Sequence, residues 1–139
     1  MRKEALSKAI AFVMWADNKL DEEEWVTARG IVEKYGIAWP DAMPIIEERI
    51  EAMLDESDEE VPDSEEPLDL GGLDFGDGVD RYDVLDDLAL LVVADNVIEY
   101  SEIEILHCLG KAMNVAPEIV SLSLLKAVAS SNGTVKMNL

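Results

Sequence analysis

The stretch Ala16-Asp-Asn-Lys-Leu-Asp-Glu-Glu-Glu24 follows directly on the apolar run Ile10-Ala-Phe-Val-Met-Trp15. The same arrangement returns as Ala94-Asp-Asn-Val-Ile-Glu-Tyr-Ser-Glu102, after Leu88-Ala-Leu-Leu-Val-Val93. Asp17 falls on Asp95 and Glu24 on Glu102, 78 residues on in both cases, and the register runs ungapped until Gly36-Ile-Ala38 meets Asn114-Val-Ala116. Agreement of residue type over that length reads as an internal duplication. Each copy places an apolar helix, an acidic turn and a second helix in succession.

Outward from the first turn, Lys3 to Ala16 has Leu6, Ile10 and Val13 at helical spacing. Its last turns are apolar almost all round, as in a helix buried on several sides. Asp17-Asn18 ends it, since the helix dipole disfavours an acid at a C-terminus and Asn accepts the left-handed turn. Asp21 opens the second helix, with Glu24 three residues on in an acidic capping box. Trp25, Ala28, Ile31 and Val32 carry that helix to Gly36, a left-handed cap. Trp39-Pro40-Asp41 opens a third, with Ile46, Ile50, Met53 and Leu54 on its inner stripe and Glu47, Glu48, Arg49 and Glu51 outside it.

The second copy predicts helix four over about Asp80 to Ala94, broken by Asp95-Asn96. Ser101, with Glu104 three residues on, offers a capping box for helix five, which ends at Asn114. Pro117 suits the first turn of helix six, whose Ile119, Val120, Leu122, Leu124, Leu125 and Val128 make it strongly apolar. Ser130 onward, with Asn132-Gly133, reads as a stop and a short tail. No segment alternates with period two, so the expected fold is all-α, with six to seven helices in two pseudo-symmetric three-helix repeats. The first helix of each repeat should cross the other near the centre. In this reading one domain spans 1–139, with repeat one over about 3–54, an acidic loop over 55–80 and repeat two over about 81–131.

The loop differs in kind from what flanks it. Asp55 to Asp80 holds 12 acidic residues in 26 positions, with no Lys or Arg, and reads as solvated chain. Within it, Leu68, Leu70, Leu73 and Phe75 are candidates to pin part of the loop to the core. Formal net charge over the whole chain is −20, and removing the loop still leaves 19 acidic residues against 11 basic ones. Such a surface repels phosphate backbones and anionic lipid, which excludes nucleic acid as a partner and favours metal cations and basic protein faces. Hydrophobic residues make up 49% of the 139, enough for a packed core. Cys108 is the single cysteine, so there is no disulfide framework and no Cys-rich zinc site. The start of the chain carries no signal-peptide pattern, and the apolar runs fall well short of the roughly 20 residues a membrane helix needs. The expected location is the cytoplasm, with no membrane insertion.

An apolar helix ending in Ala-Asp, a turn residue, an aliphatic residue three after the Asp and Glu seven after it resembles the tellurite-resistance TerB-like domain. The matching residues are Asp17, Leu20 and Glu24, and again Asp95, Ile98 and Glu102. The sequence departs from the family in having Asn18 and Asn96 where Gly is usual, and in the length of its acidic insert. The resemblance implies an all-helical fold of two repeats with an acidic pair in each. It also implies a cytoplasmic, non-catalytic module of bacterial stress-response systems that binds divalent metal and serves as a scaffold or sensor with a protein partner.

The residues themselves leave two readings of the turns open. In one, Asp17, Asp21 and Glu24, with Asp95, Glu99 and Glu102 in the second copy, give hard oxygen ligands to a divalent cation such as Ca2+. Calcium takes six to eight oxygens, more than one turn supplies without water, so strong binding requires the two turns to converge. In the other, the carboxylates only accept backbone N–H groups at helix starts, a role worth about 0.5–2 kcal/mol without any metal. An EF-hand is excluded, because Lys19 and Glu22 stand where that loop needs an acid or Asn and a Gly. The run from Gly71 to Gly78 is a single imperfect glycine–aspartate copy that cannot stack on itself.

His107 and Cys108 are neighbours on one helix and diverge, so they read as an ordinary histidine and a small buried thiol. Trp15, Trp25 and Trp39 read as core. No phosphate-binding glycine loop, nucleophile elbow or Ser/His/Asp set is present, and the chain reads as a non-enzyme. Charge alone supports a different class of function: an acidic protein that neutralises a basic partner, of inhibitor, immunity or nucleic-acid-mimic type.

Overall fold

A computed structural model describes residues 2–17, 22–57, 75–76, 78–94, 97–130 and 136–138. The side chains of Asp17, Met53 and Leu54, and the residues Asn18, Leu20, Asp21, Leu68, Leu70, Leu73, Asp95, Asn96 and Asn132-Gly133, lie outside that description.

The fold is all-α. Six helices follow in order, α1 (Lys3–Asp17), α2 (Glu22–Lys34), α3 (Trp39–Ser57), α4 (Arg81–Val92), α5 (Tyr100–Ala112) and α6 (Pro117–Ser130). The first residues of α1 and α4, of α2 and α5, and of α3 and α6 each stand 78 apart. α1 lies on α3 and α5, α4 lies on α6 and α2, and α1 and α4 pack on each other.

The all-round apolar sequence of α1 explains its place at the centre. Leu6, Ala9, Ile10, Ala11, Phe12, Val13 and Met14 are all buried. Val84, Leu85, Leu88, Ala89, Leu91 and Val92 do the same for α4. Each buried Leu, Ile or Phe side chain stabilises the fold by about 1.5–3 kcal/mol. The outer helices bury one stripe each, such as Ala28, Ile31 and Val32 on α2 and Ala42, Ile46 and Ile50 on α3.

Helix ends follow local chemistry. Gly36 (φ 77°) and Asn114 (φ 61°) take the left-handed conformation after α2 and α5. Asp80 caps α4, its carboxylate accepting the Tyr82 N–H at 2.9 Å. Gly110 marks the crossing of α5 and α6, where a Cβ would stand 2.5 Å from Val120 Cγ2. Phe75 is buried and its carbonyl accepts the Arg2 N–H at 2.8 Å, so this end of the acidic segment is tied to the start of α1.

Two expectations are corrected. A short parallel ladder joins β1 (Val97–Glu99) to β2 (Lys136–Asn138), with Ile98 opposite Met137, where the sequence suggested only turn and tail. Three residues are too few for alternation to register. Cys108 is exposed on the outer face of α5 rather than buried. On α6, strongly apolar in sequence, Leu122 and Leu125 face solvent. Trp15, Trp25 and Trp39 are half-buried against the core, and the rings of Trp25 and Trp39 meet edge-to-face at 6.0 Å. Among the described residues, no helix is long and apolar enough to cross a membrane.

Candidate functional site: the two acidic turns

Each turn sends a glutamate into the interior. Glu24, in the first turn of α2, and Glu102, in the first turn of α5, are each 1% exposed, although both carry carboxylates. Burial of a carboxylate is costly unless donors meet it. For Glu102 the donor is close at hand. Glu99 is extended (φ −89°, ψ 150°) at the N-cap of α5, and its N–H donates to Glu102 Oε1 at 3.0 Å. The Glu99 side chain in return accepts the backbone N–H of Glu102, which completes a capping box.

That box stands two residues before the one expected from Ser101 and Glu104. Both of those residues are already helical, and Glu104 takes the Tyr100 hydroxyl instead, which pushes the phenol's pKa up. Ser101 is used differently. Its hydroxyl donates at 2.7 Å to the carbonyl of Ala16, near the C-terminal end of α1. An orphan carbonyl of one helix end is thereby satisfied from the start of another. The backbone entering the first acidic turn is thus held against the helix start that closes the second.

Of the expected ligands, Glu24, Glu99 and Glu102 are described, with the Glu99 and Glu102 carboxylates brought together at one helix start. Asp21, Asp95 and the Asp17 side chain lie outside the described residues. Among the described residues, no three His, Cys, Asp or Glu side chains cluster as a metal site.

A second polar centre joins the two halves on the far side of α4. Asp87, only 6% exposed, accepts two bonds from Lys34 Nζ, at 2.9 and 3.1 Å, and one from the Tyr35 hydroxyl at 2.7 Å. Its hydrogen bond and charge raise the pKa of Lys34; burial, then the bond to Asp87, raise that of Tyr35. Sequence reading missed this clasp, because residues 52 and 53 positions apart give no local signal. The positions 78 away from Asp87, Lys34 and Tyr35 are Ala9, Ala112 and Met113, so the clasp exists on one side only.

Comparison with family models, with curated proteins and with solved structures finds no match.

Proposed function

We propose that the protein is a non-catalytic helical module, built by duplication, that holds a divalent cation of the calcium type at its acidic turns and serves as a scaffold or sensor of the TerB-like kind. The observation that supports this reading is the Ser101–Ala16 hydrogen bond of 2.7 Å, which holds the end of α1, where the first turn begins, against the start of α5, where the second ends. Calcium needs six to eight oxygens, so strong binding calls on ligands from both turns. The residues that would hold the ion are Asp17, Asp21 and Glu24 from one turn and Asp95, Glu99 and Glu102 from the other. All are hard oxygen donors, suited to calcium or magnesium rather than to soft metals. The bound cation supplies positive charge among buried carboxylates, which stiffens both turns.

The test is thermal unfolding of metal-stripped protein with and without calcium. Calcium raises Tm in the native protein and leaves it unchanged in the Asp17→Asn, Asp95→Asn double variant. If calcium moves neither Tm nor tryptophan emission in the native protein, the turns act as caps only.

A second reading is favoured by the net charge of −20. An acidic module of this kind engages a basic protein, and its field speeds the encounter. Basic-partner binding that falls steeply with added salt supports it; binding indifferent to salt contradicts it.

A further inference from the structure

The outer edges of α4 and α6 are joined by an ion pair, with Lys126 Nζ 2.9 Å from Asp86 Oδ2. One turn either side of Asp86 on α4 stand Tyr82, 44% exposed, and Leu90, 40% exposed; on α6, Leu122 (54%) and Leu125 (65%) lie within one turn of Lys126. Most of the large hydrophobic side chains exposed among the described residues therefore gather around one interhelical bridge. Scattered exposed leucines need no explanation, but a contiguous group of this kind marks a contact surface.

The pseudo-equivalent pair α1–α3 acts as an internal control. The positions 78 residues before Tyr82, Leu122 and Leu125 hold Glu4, Pro44 and Glu47, all exposed. Phe12 stands at the position of Leu90, and it is 2% exposed. Lys8 Nζ and Arg49 Cζ lie 5.9 and 5.7 Å from the centre of its ring. One copy is thus polar or buried where the other leaves three leucines exposed, with Tyr82 partly covered by the Arg81 guanidinium 5.3 Å from its ring centre. Helix packing alone does not demand the apolar version.

The chemistry of the rim names the occupant. Asp83 and Glu118 are exposed beside the apolar group; of the two cations there, Lys126 is taken by Asp86, and Arg81 lies over Tyr82 and donates to the Met113 carbonyl at 3.4 Å. A second copy of a chain with net charge −20 would bring like charge onto this rim. A helix with leucine-type anchors on one face and Lys or Arg on the other meets both features.

We propose that the α4–α6 face docks a basic amphipathic helix of a partner protein, with Tyr82, Leu90, Leu122 and Leu125 receiving its apolar side. This deepens the basic-partner reading and rests on it; it is independent of the cation.

The probe is a fluorescent helical peptide with Leu at i, i+3, i+4 and i+7 and Lys elsewhere, set against a scrambled peptide of the same composition and followed by anisotropy. Native protein should bind the amphipathic peptide at least about tenfold more tightly than the scrambled one. That preference should vanish in Leu122→Ser with Leu125→Ser, and separately in Tyr82→Ser with Leu90→Ser, each checked for native helicity by circular dichroism. Equal binding of the two peptides by native protein overturns this surface and leaves the basic-partner reading standing. Failure to bind either peptide at low salt overturns both. A native dimer in light scattering that dissociates in the Leu122→Ser, Leu125→Ser variant assigns the face to a second copy and overturns the proposal.

Discussion

Ser101 and Ala16 lie 85 residues apart in sequence, yet the hydroxyl of one donates to the carbonyl of the other at 2.7 Å. The bond fixes the end of α1 against the start of α5, where Glu99 and Glu102 form a capping box. Ser101→Ala leaves that carbonyl without its side-chain donor at a loss of about 0.5–1.5 kcal/mol. Chemical denaturation should show that loss, and calcium affinity should fall with it although no ligand has been touched. Unchanged affinity would mean that the two turns bind independently or not at all.

The clasp between α2 and α4 makes stability depend on alkaline pH. Lys34 and Tyr35 both have raised pKa values in the fold, the first chiefly through its hydrogen bond to Asp87, the second through burial and then that bond. A group that holds its proton more tightly when folded stabilises fully below its ordinary pKa and loses that contribution as pH rises through the folded value. Stability should therefore decline above the ordinary lysine and tyrosine range, and the decline should shrink in Asp87→Asn. At neutral pH, Asp87→Ala should cost about 1–3 kcal/mol, since the phenol loses its acceptor and the exposed ammonium is only partly compensated by water. Urea midpoints across a pH series, with tyrosinate absorbance read in parallel, check both statements.

Ser7 works against the core it sits in. It is fully buried in α1, and its hydroxyl has no hydrogen-bond partner among the described residues. The residue 78 positions on is Leu85, also fully buried. Ser7→Ala removes an unmet polar group and improves helix propensity, so it should stabilise by about 1 kcal/mol. A lower urea midpoint in the variant would show that the hydroxyl has a role the fold does not reveal.

Helix order and most helix ends were legible because their causes are local. Gly36 and Asn114 announce left-handed caps, Pro117 announces a first turn, and the unbroken apolar run before Trp15 announces a central helix. The errors have physical causes too. Ser101 with Glu104 matches the capping pattern as well as Glu99 with Glu102 does, and tertiary demand for a donor at Ala16 settles which pair is used. Leu122 and Leu125 face solvent on a strongly apolar helix, because composition alone does not say which stripe of a helix meets the core. The Asp87 clasp and the β1–β2 ladder depend on residues far apart in the chain, and so lie beyond any local pattern.

The central claim is the proposal that the acidic turns hold a divalent cation, and calorimetric titration of calcium into metal-stripped protein tests it most directly. Glu24→Gln with Glu102→Gln is the matched control, because glutamine keeps the hydrogen-bond acceptor needed at the helix start while removing the charge. The account predicts saturable heat in the native protein and none in this variant at equal helicity. Absence of binding heat in the native protein, or equal heat in both, would contradict it.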